Sequence, residues 1–238
     1  MRFLFALLVC TSTLAADRAA QLRAIEGIRE YYSILRGGGI HGMDWVRDQV
    51  VPNFDACPPD TQKSILTQID KGLGMKKKEE KFYRICAEIL TRCGRRGINK
   101  ATKRYSKSKK NSVIRMAVAD ALSSCGNDAA LSSLLKVVYD KDPKIAAAGV
   151  AGCGNYFKVK LDRRKAAFKK LLDRYKKVTH ATRDKKKDSV EIKMYQALRP
   201  AMNETLKRFS GGEEWDSAEA WTAWLAENVT KKWSKFEQ

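Results

Sequence analysis

Few side chains in this sequence have the types and the spacing that catalysis requires. The two histidines are isolated from each other: His41 follows three glycines at 37–39, and His180 lies in a short threonine-containing stretch. The glycine run lacks the Gly-Lys-Ser/Thr ending of a phosphate-binding loop. Glu213 and Glu214 are adjacent, so their carboxylates point apart. We therefore predict no catalytic residue, no cofactor and no metal site, with an enzyme site near His41 as the less favoured alternative.

The cysteines also lack the spacing of a redox or metal motif. No Cys-x-x-Cys pair occurs, and Cys86 and Cys93 are seven residues apart. On a helix that spacing separates them by about 10 Å, which is too far for a disulfide. An odd number of cysteines, five, follows residue 16, so at least one thiol has no partner within the chain. We predict that they act as small buried apolar side chains, and a zinc or redox site is the minor alternative.

Positive charge is the strongest chemical feature of the chain. Lysine and arginine total 47 against 27 acidic residues, which gives a net charge of +20. The clearest clusters precede predicted helices and form a candidate polyanion-binding edge: Lys76, Lys77, Lys78, Lys107, Lys109, Lys110, Lys185, Lys186 and Lys187. The segment 140–144 is an exception, because Asp140 and Asp142 offset its lysines. Lysine suits salt-sensitive, non-specific polyanion binding, and ordinary solvated loops are the equally weighted alternative.

Four tryptophans crowd the C-terminal segment. They are Trp215, Trp221, Trp224 and Trp233. Trp221 and Trp224 are three residues apart and share one face of a helix. Such a face could bind a sugar or a peptide, but we favour a hydrophobic cap that covers the last helices.

The elements that position these residues are helices. The hydrophobic fraction of 44% and the charged fraction of 31% are typical of a folded globular chain. No alternating strand pattern occurs, and apolar residues recur at helical spacing. Two of the predicted apolar faces are formed by Ile65, Leu66, Ile69 and Leu73, and by Phe168, Leu171, Leu172 and Tyr175. Three segments of small residues end in Cys-Gly at Cys93, Cys125 and Cys153, which are 32 and 28 residues apart. A second amphipathic helix follows each segment, so we predict two-helix repeats that stack as an α-solenoid, with glycine ending each Cys-Gly helix at its C′ position.

Two segments resemble the HEAT-repeat family. Residues 139–148 are similar to the Asp-x-Asp-Pro turn and small-residue helix of that repeat, and residues 113–117 are similar to its helix opening, with Arg115 in place. The end of the chain, from Leu206 to Trp224, resembles the closing unit of exported bacterial HEAT-repeat proteins, with a Trp-x-x-Trp helix. The resemblance implies an all-α, HEAT-like solenoid with an irregular N-terminal cap and a Trp-rich C-terminal cap. HEAT repeats are generic binding scaffolds, so it implies fold more than function.

The N-terminus has the pattern of an export signal. One arginine, a short apolar run and then small residues predict cleavage near Ala15 or Ala16. The apolar run is too short to span a bilayer, which needs about 20 residues. The predicted organisation is a signal peptide at 1–16, a helical cap at 17–59, HEAT-like repeats at 60–209 and a capping helix at 210–238.

These features predict an exported, periplasmic or secreted, non-enzymatic scaffold without a transmembrane segment. Its expected partner is a protein or a peptide. The alternative is a polyanion-binding protein that uses the lysine edge to bind an anionic envelope polymer, a nucleic acid or a lipid surface.

Overall fold

The described part of the chain is helical. A computed structural model describes residues 47–48, 51–52, 54–55, 57–76, 79–231 and 233. In those ranges the chain forms nine α-helices and no β-strand, which confirms the predicted all-α class. The predicted signal peptide, most of the predicted N-terminal cap, and His41 lie outside the described residues. Among the helices of the described ranges, none is long and apolar enough to span a bilayer.

The chain divides into two compact units, residues 1–104 and 105–238. The predicted domain boundaries at 16, 59 and 209 stay predictions. The first unit contains α1 (Pro59–Leu73), α2 (Glu80–Arg92) and most of α3 (Gly94–Lys107).

Helix α1 packs against α2 through its predicted apolar face. Ile65, Ile69 and Leu73 are each at most 2% exposed. Their spacing of four residues places them on one side of the helix, where burial removes apolar surface from water. In α2, Phe82 and Leu90 are equally buried.

Cations on α3 bond to α1 within the first unit. They are spaced four residues apart: Arg96 donates to Gln62 Oε1 at 2.9 Å, Lys100 to Thr67 Oγ1 at 2.9 Å, and Arg104 to Asp70 Oδ1 at 2.8 Å. This spacing keeps the three side chains on one face of α3. Half of the six basic residues of α3 therefore hold the helix against α1.

The six complete helices of the second unit belong alternately to two sets, and each helix packs against the next member of its own set. Its complete helices are α4 (Ser112–Ser124), α5 (Ala129–Val137), α6 (Pro143–Gly154), α7 (Leu161–Ala181), α8 (Val190–Ser210) and α9 (Ala218–Asn228). The even-numbered helices pack in the order α4, α6, α8, and the odd-numbered ones in the order α5, α7, α9. Contacts of α5 with α4 and α6, and of α7 with α8, join the two sets.

Glycine ends two of the three Cys-Gly helices as predicted. Gly94 and Gly126 follow Cys93 and Cys125 with φ of +65° and +68°, a conformation that glycine adopts without steric cost. The prediction is wrong for Gly154, which is the last residue of α6 and lacks a positive φ. A side chain there would meet Thr205 Oγ1 of α8 at 3.1 Å, so close helix packing explains this glycine.

The C-terminal tryptophans are mostly buried. Phe168 of α7 lies 5.7, 5.4 and 5.1 Å, between ring centroids, from Trp221, Trp224 and Trp233. The first residue before α9, Ser217, caps the helix by accepting a hydrogen bond from the Ala220 amide. Because these three rings are buried against Phe168 and one another, they do not form the exposed aromatic surface that the sequence left open as a sugar or peptide site.

Candidate functional site

The turn between α5 and α6 holds a buried ion pair. The side chain of Asp140 is 3% exposed, and that of Arg115 is 15% exposed. The Asp140 carboxylate accepts hydrogen bonds from the Arg115 guanidinium and the Tyr105 hydroxyl. It also accepts from the Asp142 amide at 2.8 Å. Such a site uses both carboxylate oxygens, so the charge is fully engaged inside the protein.

This arrangement shifts the pKa values of its members. Burial opposes ionisation of Asp140, but the hydrogen bonds from Arg115, Tyr105 and the Asp142 amide outweigh it and lower the pKa of the carboxyl group. Burial and the bond to Asp140 raise the pKa of Tyr105. At neutral pH the site is therefore an ion pair beside a neutral phenol, which stabilises the turn.

Within the described part of the chain, only one of the two aspartates of this turn is free of an ion pair that would use up its charge. The Asp140 charge is engaged by Arg115. The Asp142 side chain caps α6 by accepting from the Lys144 amide at 3.0 Å. Lys141 and Lys144 are exposed. Asp142 still offsets one of these two lysines, and the pairing of Asp140 with a residue 25 positions earlier leaves the other without an opposite charge in the turn.

The predicted lysine edge divides between the two units. Lys76 belongs to the first unit and is exposed, and Lys77 and Lys78 lie outside the described residues. In the second unit Lys107 ends α3, Lys109 and Lys110 precede α4, and Lys185, Lys186 and Lys187 lie in the turn before α8. These six side chains are exposed, and whether the nine lysines form one edge stays a prediction.

Helix α7 carries a second set of cations that sequence analysis missed. It has eight lysines and arginines against two aspartates. One group points into the fold: Arg164 donates to the carbonyls of Phe157 and Trp233, both at 2.9 Å, and Lys165 donates to the carbonyls of Val229 and Lys231. These bonds hold the segment that follows α9 against α7.

The other group on α7 faces solvent. Lys169, Lys170, Lys176 and Lys177 are exposed, and in the described part of the chain none has a hydrogen-bond or ion-pair partner. The signal in the sequence is a Lys-Lys pair that repeats after seven residues, which is two helical turns. These lysines lie within a helix, whereas the predicted edge was defined by lysine clusters that precede helices.

A groove crosses the even-numbered helices of the second unit. Its volume is about 410 Å³. Small residues of α6 and α8 line it together with polar and charged side chains: Ala148, Ala151, Gly152, Ala201, Ser123, Asn155, Thr205, Asp120, Glu204 and Arg208. A second concavity of about 380 Å³ shares Glu204 and Arg208 with it and continues past Phe157. Small side chains at such a surface allow a bound chain to approach the helices closely.

The cysteines have the chemistry of buried thiols. Cys86, Cys93, Cys125 and Cys153 are free thiols, and all of them except Cys125 are buried. Burial raises the pKa of Cys93 to about 12 and raises those of Cys86 and Cys153 further. A thiol with a raised pKa is a poor nucleophile and a poor metal ligand. This agrees with the predicted role as small apolar side chains.

No metal-binding group of three or more His, Cys, Asp or Glu residues occurs in the described ranges. Comparisons of the chain with family models, with curated proteins and with solved structures find no match. The HEAT-repeat resemblance accordingly stays a prediction. The candidate sites are therefore the groove, the lysine edge and the solvent face of α7.

Proposed function

We propose that the chain is an exported, non-enzymatic, HEAT-like scaffold whose even-numbered helices bind a segment of a protein or peptide partner. The observation that carries the proposal is the groove over α4, α6 and α8. In a protein with 31% charged residues, the accessible side of α6 presents alanine at 147, 148 and 151. The recess combines two of these alanines with the charged side chains of Asp120, Glu204 and Arg208, which suits a peptide segment that makes both apolar and polar contacts.

The solenoid part of the proposal is supported by helix packing in the second unit. Each even-numbered helix contacts the next even-numbered one, and each odd-numbered helix contacts the next odd-numbered one. This is the neighbour pattern of stacked two-helix repeats. The ion pair between Arg115 in one helix pair and Asp140 before the next supports the HEAT assignment, because both residues lie in the segments that carry the resemblance.

The caps and the export route complete the proposal. Burial of Trp221, Trp224 and Trp233 against α7 supports a hydrophobic C-terminal cap. The irregular N-terminal cap and the signal peptide rest on the sequence pattern alone.

The groove is tested with a random-peptide display library panned on the purified protein. The probe is the set of selected peptides, and the measured quantity is the dissociation constant. Ala151→Trp fills the groove and should weaken binding at least about tenfold. The matched control is Ala166→Trp on α7, which is also exposed and should leave the constant unchanged. If no peptide is enriched, or if both variants bind equally, the groove is not the site.

The second candidate function is polyanion binding through the nine-lysine edge. It is favoured by the exposure of all seven described lysines of that set. Charge reversal at the nine positions should shorten retention on immobilised heparin and weaken its salt dependence. Unchanged retention would remove this candidate.

A further inference from the structure

The solvent face of α7 combines a high density of positive charge with a lack of internal partners. Lys169 and Lys176 lie about 10 Å apart along the helix, and Lys170 and Lys177 repeat that spacing beside them. Asp173 is the one acidic residue in the exposed stretch from 169 to 177. Four cations this close repel one another, and Asp173, three or four residues from each of them on the helix, offsets only one of the four charges.

Two other cations of α7 interact with groups inside the fold. Arg164 is 4% exposed, and its guanidinium bonds to two backbone carbonyls. The Arg174 guanidinium lies 5.3 Å from the centre of the Tyr139 ring. The four lysines make no such bond in the described part of the chain, so their charges are available to a ligand.

The lysine face continues into an ordered turn. Arg183 follows Lys176 after seven residues, and its amide bonds to the His180 carbonyl at 3.2 Å. Asp184 adopts a φ of 60° and redirects the chain. The Ser189 amide bonds to the Lys186 carbonyl at 2.9 Å, and the Ser189 side chain caps α8. These bonds hold Lys185, Lys186 and Lys187 at the end of α7, so positive charge extends beyond the helix.

The chemistry of the face selects the class of ligand. Residues 169–177 and 183–187 include no exposed aromatic or large apolar side chain that could stack on a base or insert into a bilayer, and the nearby exposed ring of Tyr139 lies against the Arg174 guanidinium. Lysine ammonium groups are mobile point charges and do not require one fixed phosphate geometry. A row of such charges along one helix fits a ligand whose negative charges repeat along a line.

We infer that the solvent face of α7 (Lys169, Lys170, Lys176 and Lys177), continued by the turn at 183–187, binds a linear anionic polymer. The ligand is recognised by its repeated phosphate or sulfate groups and not by bases or acyl chains. This inference shares its ligand class with the second candidate function, but its core surface is a set of residues outside the predicted edge.

The test measures binding of long-chain inorganic polyphosphate and of heparin to the full chain across a salt series. Replacing the four α7 lysines by glutamine retains helix propensity and removes four charges. We expect the affinity to fall at least about tenfold and the slope of log affinity against log salt to decrease by about 3, since each lost contact contributes about 0.7 on a single-stranded polyanion. A difference between the two probes identifies phosphate or sulfate as the preferred group.

A matched control removes the same charge elsewhere. Glutamine at Lys63, Lys71, Lys81 and Lys103, all exposed in the first unit, should change the affinity by less than about twofold. Arginine at the four α7 positions should retain binding, because charge is kept. Circular dichroism and thermal unfolding establish that each variant is folded.

Three results would overturn the inference. An equal loss in the control shows that net charge alone drives binding. A loss only when Lys185, Lys186 and Lys187 are replaced by glutamine assigns binding to the predicted edge, so the second candidate function survives without the α7 face. Binding to phosphatidylglycerol vesicles but to neither soluble polymer assigns the surface to membranes.

Discussion

The turn at Asp140 and the solvent face of α7 use charge in opposite ways. At the turn, one buried carboxylate accepts hydrogen bonds from Arg115, Tyr105 and a backbone amide. On α7, four lysines are exposed and have no partner in the described protein. The first arrangement stabilises the fold, whereas the second places four positive charges together with Asp173 as the one opposite charge among them. Some charges of this protein therefore serve only the fold, and others are available to a ligand. The net charge of +20 does not distinguish the two kinds.

The largest expected effect is at the turn. Asp140→Asn should lower the free energy of unfolding by about 3 kcal/mol, because it leaves the Arg115 guanidinium largely buried without a counter-charge. Denaturant titration measures the change. Asp173→Asn, at an exposed position of α7, is the matched control and should change stability by less than about 0.5 kcal/mol. Equal effects of the two substitutions on the free energy of unfolding would contradict the distinction between the buried charge of the turn and the exposed charge of α7.

The pH dependence of stability follows from the lowered pKa of Asp140. A carboxyl group that is more acidic in the folded state contributes stability above its unfolded pKa of about 3.9. That stability is lost as the pH falls through the lower pKa of the folded state. Thermal unfolding from neutral into acidic pH should show this loss in the natural chain and a smaller loss in Asp140→Asn. The same slope in both proteins would contradict the assignment.

Two adjacent arginines on α7 test the comparison within one helix. Arg164→Gln should cost about 2 kcal/mol of stability, since two backbone carbonyls lose a charged donor. Arg163→Gln should cost less than about 0.5 kcal/mol, because the Arg163 side chain is 62% exposed and lies 4.0 Å from Asp128. Chemical denaturation of both variants measures the difference, and similar costs would show that burial does not decide the role of these cations.

An intermediate effect on stability is expected for an ion pair in the first unit. Arg104 and Asp70 have side chains that are 21% and 23% exposed and lie 2.8 Å apart. A double-mutant cycle with Arg104→Gln and Asp70→Asn should give a coupling energy of about 1 kcal/mol. A coupling energy near zero would show that this pair, like the exposed lysines of α7, does not stabilise the fold.

The smallest expected effect on stability is at the α7 lysines themselves. Replacing all four by glutamine should leave the free energy of unfolding within about 0.5 kcal/mol of the natural value, with a small gain from relieved repulsion. Thermal unfolding at low salt is the most sensitive measurement, because screening hides the repulsion at high salt. A large loss would show that these lysines have a structural role.

Much of the fold could be predicted from local patterns. Apolar residues at helical spacing identified the buried faces of α1 and α7, because one face of a helix must pack on a neighbour. Gly94 and Gly126 were predicted as helix ends because a positive φ favours glycine at the C′ position. Gly154 has the same local sequence, but contact with Thr205 of α8 gives it a different role.

The candidate sites were less predictable. The groove depends on which helices become neighbours, and no local pattern reports that. The α7 face had a clear signal in its repeated lysine pairs, but spacing alone could not distinguish those lysines from Arg164 and Lys165. All lie on one helix, and only the packing of α9 and the segment after it shows which of them are covered.

The sequence by itself determined the helical class, the faces that are buried and the excess of positive charge, because these depend on residue type and on spacing within one element. The tertiary structure decided which charges are neutralised. Asp140 meets Arg115 across 25 residues, and Arg164 meets the backbone of Trp233 across 69. Electrostatic interaction energy depends on distance in space and on burial, and both arise only when separate helices pack together.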